Sequence, residues 1–600
     1  MTVTARLNRF GRFAQHHSDR LQARINRLAF SRFLLFIGLV IGVSNLFSAQ
    51  TRWWALLFSL LTGGLFIWFM VLHDRLYRIA ERMKALSEWV ADSQKRCDLN
   101  LADLPERAFE KNHPFAQDCD LAGAQGLWKL IDQTHHHKAA QVLLDWLAQN
   151  DRATTQDRQD VIREGACRPV QALRILLTAR LGKQDDDAAA LFPQCQIGYP
   201  FFVNGVWVVL LTLFALFNAA VLFCTFVLNK PIFPWQVSAS IQFFLYLGQA
   251  GFFHARLNPL LKARAHLTQL RLSLAEIQRS KRATLQAQQQ PTGLLDPEFL
   301  KQLQLAEALT DRLEQKKNAF GHFLLNYFFQ IELWTLLSIR RIPSGFWIQC
   351  QNHKLWLYQW EAMCSLILFA AHNPDFCWPE LTDQKTFLIR GKAMGHPLIK
   401  AHKRITNDFQ LSGPGQIVLI TGSNMSGKST FLRTLGVNTV LARMGLPTCC
   451  QAFSCSLPEL WSSLRIADDL SAGISTFYAE VRRLRAVVAA LEKSEIPVFY
   501  LLDEILRGTN SRERLIAVKA LVRYLTQASG SGLITTHDLE LLALAKQFPE
   551  QVVQYHFQEQ IEAGQMGFDY QLRPGALTST NALHILEGES FPFKFNFEEA

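Results

Sequence analysis

The chain has 600 residues, 62 Lys and Arg against 51 Asp and Glu, and a net charge of +11. That length is more than one hydrophobic core serves, so a single packing unit is excluded and three or more are expected. The positive balance suits a polyanionic partner, nucleic acid or an anionic membrane surface, without choosing between them.

Four stretches have the length and apolarity of a membrane span, which takes about 20 mostly apolar residues. They come in two pairs. The first pair covers 33–49 and 54–72, joined by a short loop carrying Arg52; the second covers 201–228 and 235–253, joined by a turn with Lys230, Pro231 and Pro234. None of the four holds a charged side chain, which favours insertion over burial in a protein core. Arg6, Arg9, Arg12, Arg20, Arg24, Arg27 and Arg32 precede the first span; Arg75, Arg78, Arg82 and Lys84 follow the second; Arg256, Lys262 and Arg264 follow the fourth. Positive flanks stay on the cytoplasmic side, so both hairpins dip into the bilayer and return. This topology makes a multi-pass inner-membrane protein with both termini in the cytoplasm. The Arg-rich leader also fits an organellar transit peptide, but the span directly after it favours the topology reading.

A fifth apolar run, Phe320 to Ile339, contains His322, Asn326, Gln330 and Glu332. A fifth span would carry the nucleotide motifs downstream to the side of the membrane without ATP, so the run is expected to be a soluble or surface-lying helix.

The polar stretches between show helical spacing. Arg256 to Gln290, rich in Leu, Ala, Arg and Gln, predicts an extended helix or coiled-coil arm; it breaks at Pro291 to Gly293, and a new helix is expected near Asp296 and Pro297. His135, His136 and His137 are consecutive on a helix, so they point in different directions and do not share a metal. Eleven irregularly spaced cysteines, with no cleavable secretory signal ahead of them, point to reduced thiols. The closest group, Cys449, Cys450 and Cys455, lacks the CxxC spacing of a zinc site.

The chemistry gathers in the last third. QIVLIT, ending at Thr421, is a short buried-strand run that leads into Gly422, Ser423, Asn424, Met425, Ser426, Gly427, Lys428, Ser429 and Thr430. This is the GxxxxGK[ST] phosphate loop between strand and helix. The glycines let backbone amides face phosphate oxygens, Lys428 would neutralise the β and γ phosphates of ATP, and Ser429 would ligate Mg²⁺. Ile496 to Glu504 is a second strand run; its closing Asp503 suits the outer Mg²⁺ shell, and Glu504 suits polarising the attacking water. A third run, GLITTHD, ends in His537, placed to sense the γ phosphate. Three strand ends offering these groups together point to a nucleotide-hydrolysing α/β domain.

Between the phosphate motifs lies RIADDLSAGISTFYAEVRRL, and after the carboxylates ILRGTNS. These resemble the signature segment and the DEIGRGTS stretch of the MutS family of DNA-acting ATPases, with Leu506 where that family usually has glycine. GHPLI, ITND, FDYQLRPG and STNAL resemble further family elements, and HPFAQDCDL with DRQDVIREGA resembles the start of its helical core. The likeness runs from about Asn112 onward, interrupted by the second hairpin. It implies a homodimer in which Ser475 of one subunit caps the γ phosphate held by the other, with Arg404, Ile405 and Tyr570 at positions that hold the adenine. The mismatch wedge and DNA clamp of relatives find no counterpart, so non-specific duplex contact through Lys and Arg is the DNA role that remains.

The expected architecture is membrane hairpins and a helical core and lever, followed by a C-terminal α/β P-loop domain. In numbers it runs 1–74 (leader and first hairpin), 75–199 (helical core), 200–255 (second hairpin), 256–385 (lever and core) and 386–600 (ATPase domain). Two other classes fit parts of the chain. A transporter subunit would join spans to an ATPase, but DDLSAGISTF stands where LSGGQ is required and the spans have few polar groups to line a route. A mechanical or scaffolding ATPase without nucleic acid needs neither wedge nor clamp.

Overall fold

The computed structural model describes residues 3–45, 50, 52–106, 109, 113–181, 188–195, 205–226, 235–279, 296–314, 326–327, 330–423, 425–464, 476–506, 509–562 and 565–576. Two compact units emerge. One is Met1–Gln94, Thr134–Val142 and Val170–Cys364; the other is Lys95–Gln133, Leu143–Pro169 and Ser365–Ala600.

The first unit is helical. Its leader and first apolar stretch form one unbroken helix, Val3–Asn45, and the second stretch opens the helix Arg52–Cys97. These two run antiparallel, since Gly11 faces Val90 at one end and Gly42 faces Ser59 at the other. A Cβ on Gly42 would sit 2.5 Å from the Ser59 hydroxyl, so this crossing depends on the missing side chain. Outward-facing side chains are apolar, with Trp54 77% and Leu60 70% exposed. Among the described residues three helices are long and apolar enough to cross a membrane: Arg9–Asn45, Trp53–Cys97 and Gly205–Thr225. The fourth expected stretch is not among them. It opens the 45-residue helix Trp235–Arg279 and carries Gln236, Gln242 and Gln249, which dilute its apolarity.

That same helix contains the first part of the expected arm, beginning some way before Arg256 and continuing through Pro259 to Arg279; the rest of the arm and the break at Pro291 to Gly293 lie outside the described residues. The next helix is Pro297–Glu314, as the Asp296-Pro297 start signal indicates. Residues 320–325 and 328–329 of the fifth apolar run lie outside the described residues; in the rest, Gln330 takes a left-handed φ of +52° at the start of a helix of 9 residues, Ile331–Ile339, in which Glu332 is buried. Too short for a bilayer, this helix instead packs within the unit. Of the three consecutive histidines, His136 is buried and its Nδ1 lies 2.6 Å from Glu361. The same carboxylate accepts the backbone N–H groups of His135 and His136 at the start of the helix His137–Ala148, where a negative charge is favoured. Burial alone would raise the Glu361 pKa; the hydrogen bonds and charge of His136 bring it below its ordinary value.

The second unit holds two sheets. We number the strands β1 (Glu380–Leu381), β2 (Leu388–Met394), β3 (Asn407–Ser412), β4 (Ile417–Thr421), β5 (Ala452–Cys455), β6 (Glu459–Ser463), β7 (Val498–Asp503), β8 (Ser531–Thr535), β9 (Val552–Glu562) and β10 (Gln565–Pro574). The smaller sheet has the order β1-β5-β2-β3; the larger is β10-β9-β4-β8-β7-β6. In the larger one β6, β7, β8, β4 and β9 are mutually parallel, and only the β9–β10 hairpin is antiparallel. Every residue of β4, β7 and β8 is buried, which is why each reads as a continuous apolar run. Parallel pairing places the C-terminal ends of β4, β7 and β8 side by side.

This unit also recruits segments from far upstream. Ser462 Oγ donates to Asp118 at 2.8 Å, Gln159 Nε2 to the Pro379 carbonyl at 2.8 Å, and Arg443 Nε to the Gln149 carbonyl at 3.0 Å. Residues 95–133 and 143–169 thus pack with the nucleotide motifs, a division that differs from the expected 75–199 core and 386–600 domain.

Candidate nucleotide site

The phosphate loop leaves β4 and enters the helix Lys428–Arg443. Gly422 has a φ of +147°, and a Cβ there would meet the Ser426 hydroxyl at 2.8 Å and the Phe557 carbonyl at 2.9 Å. Gly427, at φ +105°, lies against the Tyr570 ring. Only glycine satisfies both backbone shape and space at these two points. Ser426 Oγ donates to the Ser423 carbonyl at 2.9 Å and braces the loop. Met425 is exposed at its tip, Thr430 follows in the helix, and Asn424 lies outside the described residues.

Lys428 is buried, and its Nζ donates to the Gly422 and Ser423 carbonyls at 2.7 and 2.8 Å. The same ammonium stands 3.8 Å from Glu504 Oε1 and 3.4 Å from His537 Nε2. Next to it, Ser429 Oγ donates to Asp503 Oδ2 at 2.6 Å, while Thr535 Oγ1 donates to Asp503 Oδ1 at 2.5 Å. A hydroxyl and a carboxylate meeting in this way are the hard oxygen donors that Mg²⁺ takes. His537 Nε2 lies 2.7 Å from Glu504 Oε1, and the Glu504 N–H donates to Thr535 Oγ1 at 3.0 Å. The ends of β4, β7 and β8 therefore bring Lys428, Ser429, Asp503, Glu504 and His537 within one interaction network.

A cavity of about 560 Å³ adjoins the loop, of a size suited to a small-molecule ligand. Its lining includes Ser423, Met425, Gly427, Lys428, Ser429, Thr430 and Glu504, together with Ile405 and Tyr570. Asn407 fixes this wall, donating from Nδ2 to the Tyr570 carbonyl and accepting the Leu572 N–H. Arg404 is placed differently. Its Nε and Nη2 both donate to the Ile399 carbonyl, at 3.0 and 2.7 Å, and its guanidinium lies 5.8 Å from the Phe376 ring. Ile405 and Tyr570, not Arg404, face the cavity.

Ser475 and the signature segment before it lie outside the described residues, which resume with the helix Thr476–Lys493. Sequence reasoning misses two site residues. Thr535, which braces both Asp503 and Glu504, is the residue before the TH pair in GLITTHD; its signal is its place at a strand end. Asn407, inside ITND, gives no chemical signal beyond the family likeness.

Comparison with known proteins places these features. A family model for MutS domain V matches residues 418–595. A DNA mismatch repair protein MutS of Natronomonas pharaonis is 29% identical over 269 residues, 44% of this chain and 30% of that protein. The MutS proteins of Shouchella clausii and Brevibacillus brevis are 32% identical over 271 residues and 31% over 225, covering 44% and 36% of this chain and 30% and 25% of theirs. The chain thus matches less than a third of the length of these relatives. The phosphate loop and the paired carboxylates lie within the matched region, and this C-terminal part of the chain is similar to MutS domain V.

Proposed function

We propose that this chain is a membrane-anchored ATPase of MutS type, which binds Mg·ATP at the β4, β7 and β8 ends and hydrolyses it as a homodimer. The convergence of Lys428, Ser429, Asp503, Glu504 and His537 carries the reading. On binding, Lys428 exchanges the Gly422 and Ser423 carbonyls for phosphate oxygens. Ser429 and Asp503 hold Mg²⁺, which when bound supplies neutralising charge at the phosphates. Glu504 orients the attacking water and takes its proton, and His537 steadies that carboxylate. Ile405 and Tyr570 flank the base, and Ser475 of the partner subunit completes the phosphate pocket. Both hairpins anchor the chain in the inner membrane, with the termini and the ATPase domain in the cytoplasm, supported by the exposed apolar helices and the flanking arginines. The work of the cycle acts on DNA through phosphate contacts, supported by the relatives being DNA mismatch repair proteins and by the net charge of +11.

Purified full-length chain in lipid nanodiscs tests this. Wild type should retain and hydrolyse ATP, whereas Glu504→Gln should retain nucleotide with turnover reduced about 100-fold or more. Near-normal turnover in that variant removes Glu504 as the base. Duplex DNA should raise the wild-type rate and bind in a salt-sensitive way. Neither effect would assign the work to a mechanical or scaffolding role at the membrane.

A further inference from the structure

The turn that presents Glu504 is held in an unfavourable backbone shape. Glu504 has a φ of +45° and Leu506 a φ of +61°, the left-handed region that costs a residue with a side chain about 1–2 kcal/mol. Such a shape persists only where surrounding contacts fix it. One contact is the bond from the Glu504 N–H to Thr535. The other comes from outside the nucleotide network: the Leu506 N–H donates to Glu480 Oε1 at 2.5 Å. Glu480 is 6% exposed and sits on the helix Thr476–Lys493. A carboxylate accepting a backbone N–H makes a charge-assisted bond, about twice as strong as a neutral one. It is a costly group to bury without such a return.

We propose that Glu480 is a positioning residue for hydrolysis, clamping the Leu506 amide so that Glu504 keeps its left-handed turn and its aim at the attacking water. The proposal rests on Glu504 being the base. Thr476 directly follows the signature segment in the chain, so Glu480 stands one helical turn beyond it.

The test compares Glu480→Ala with Glu480→Gln in the full-length chain. Alanine removes the acceptor, while the glutamine side-chain oxygen still accepts the Leu506 N–H. Glu480→Ala should lower kcat about tenfold with KM within about twofold, and Glu480→Gln should recover to within about threefold of wild type. Hydrogen exchange without nucleotide should speed up at Leu506 in Glu480→Ala, with β4 and β8 still protected. Wild-type kcat in Glu480→Ala, equal loss in both variants, or faster exchange across the whole sheet would each overturn the clamp. Failure of the ATPase reading is separable: if Glu504→Gln turned over normally the base assignment would fall, and with it Glu480 as a positioning residue, while exchange at Leu506 would still decide whether the bond exists.

Discussion

The apolar helices of the first unit and the central strands of the second have similar residues and opposite fates. In β4, Ile417 to Ile420 are all buried by neighbouring elements. In the helix Gly205–Phe226, Leu213 is 57% exposed, and Val206, Leu210 and Leu216 are exposed as well. An aqueous protein covers such surface, since large contiguous apolar patches drive association. The strands find their apolar medium inside the fold; under the proposed function the helices would find theirs in a bilayer.

Charge placed in each region breaks the comparison if it is wrong. Leu419→Arg would bury an unpaired guanidinium in β4, at a cost comparable to the whole stability of a domain, and the second unit should fail to fold. Leu213→Arg should leave that unit folded and impair membrane insertion by about 3–4 kcal/mol, the difference between Leu and Arg at the centre of a span. Alkaline extraction of membranes reads the second effect, and nucleotide retention reads the first. If Leu213→Arg instead made the chain more soluble at unchanged yield, the helix faces water and the anchor reading fails.

The same contrast explains what was legible in the sequence. β4, β7 and β8 announce themselves as apolar runs that end in a glycine loop, two carboxylates and a histidine. Burial on both faces demands unbroken hydrophobicity, and strand ends are where ligands meet a parallel sheet. The exposed helices announce themselves by length and by unbroken, uncharged apolarity. Long-range packing is not written locally: Asp118 lies in a turn, Gln149 just past the helix His137–Ala148 and Gln159 within the helix Arg152–Ala166, and only the fold brings them to Ser462, Arg443 and Pro379. Arg404 shows the limit of reading a site by family likeness, since the resemblance assigns its position to the adenine while its side chain turns to Ile399 instead.

Acid should sharpen the difference between the units. In the second, His113, His372 and His396 have pKa values lowered to about 4, each chiefly by burial and further by arginines, among them Arg443, Arg96 and Arg433 respectively. Protons therefore bind the unfolded chain more readily. The stabilising contribution is complete above about pH 6.5 and is lost as pH falls from there towards 4, at up to about 1.4 kcal/mol per pH unit for each histidine. Partial exposure of His113 reduces its share. In the first unit, burial lowers the Lys354 pKa to about 8, so this group is already charged below that and adds no slope between pH 6.5 and 4.5. Thermal melts over this range should show the second unit losing stability first, and replacing the three histidines by Gln should flatten its slope.

The smallest effect is the most diagnostic of the catalytic turn. Leu506 is 8% exposed and packs in a core with Leu484, Val487, Val518 and Val522, yet its φ of +61° is one that glycine adopts freely. Backbone preference alone would make Leu506→Gly stabilising by about 1 kcal/mol. Burial of a leucine side chain is worth about 2–3 kcal/mol, so lost burial outweighs relieved strain and the variant should lose about 1–2 kcal/mol. Leu506→Ala separates the two contributions, because alanine forfeits most of the burial and keeps the strain. It should be less stable than Leu506→Gly by about 1 kcal/mol in the melt of the second unit, the reverse of the order at an ordinary helix or strand position. Were alanine the more stable of the pair, the left-handed turn at Leu506 would carry no strain, and the clamp by Glu480 would have nothing to hold.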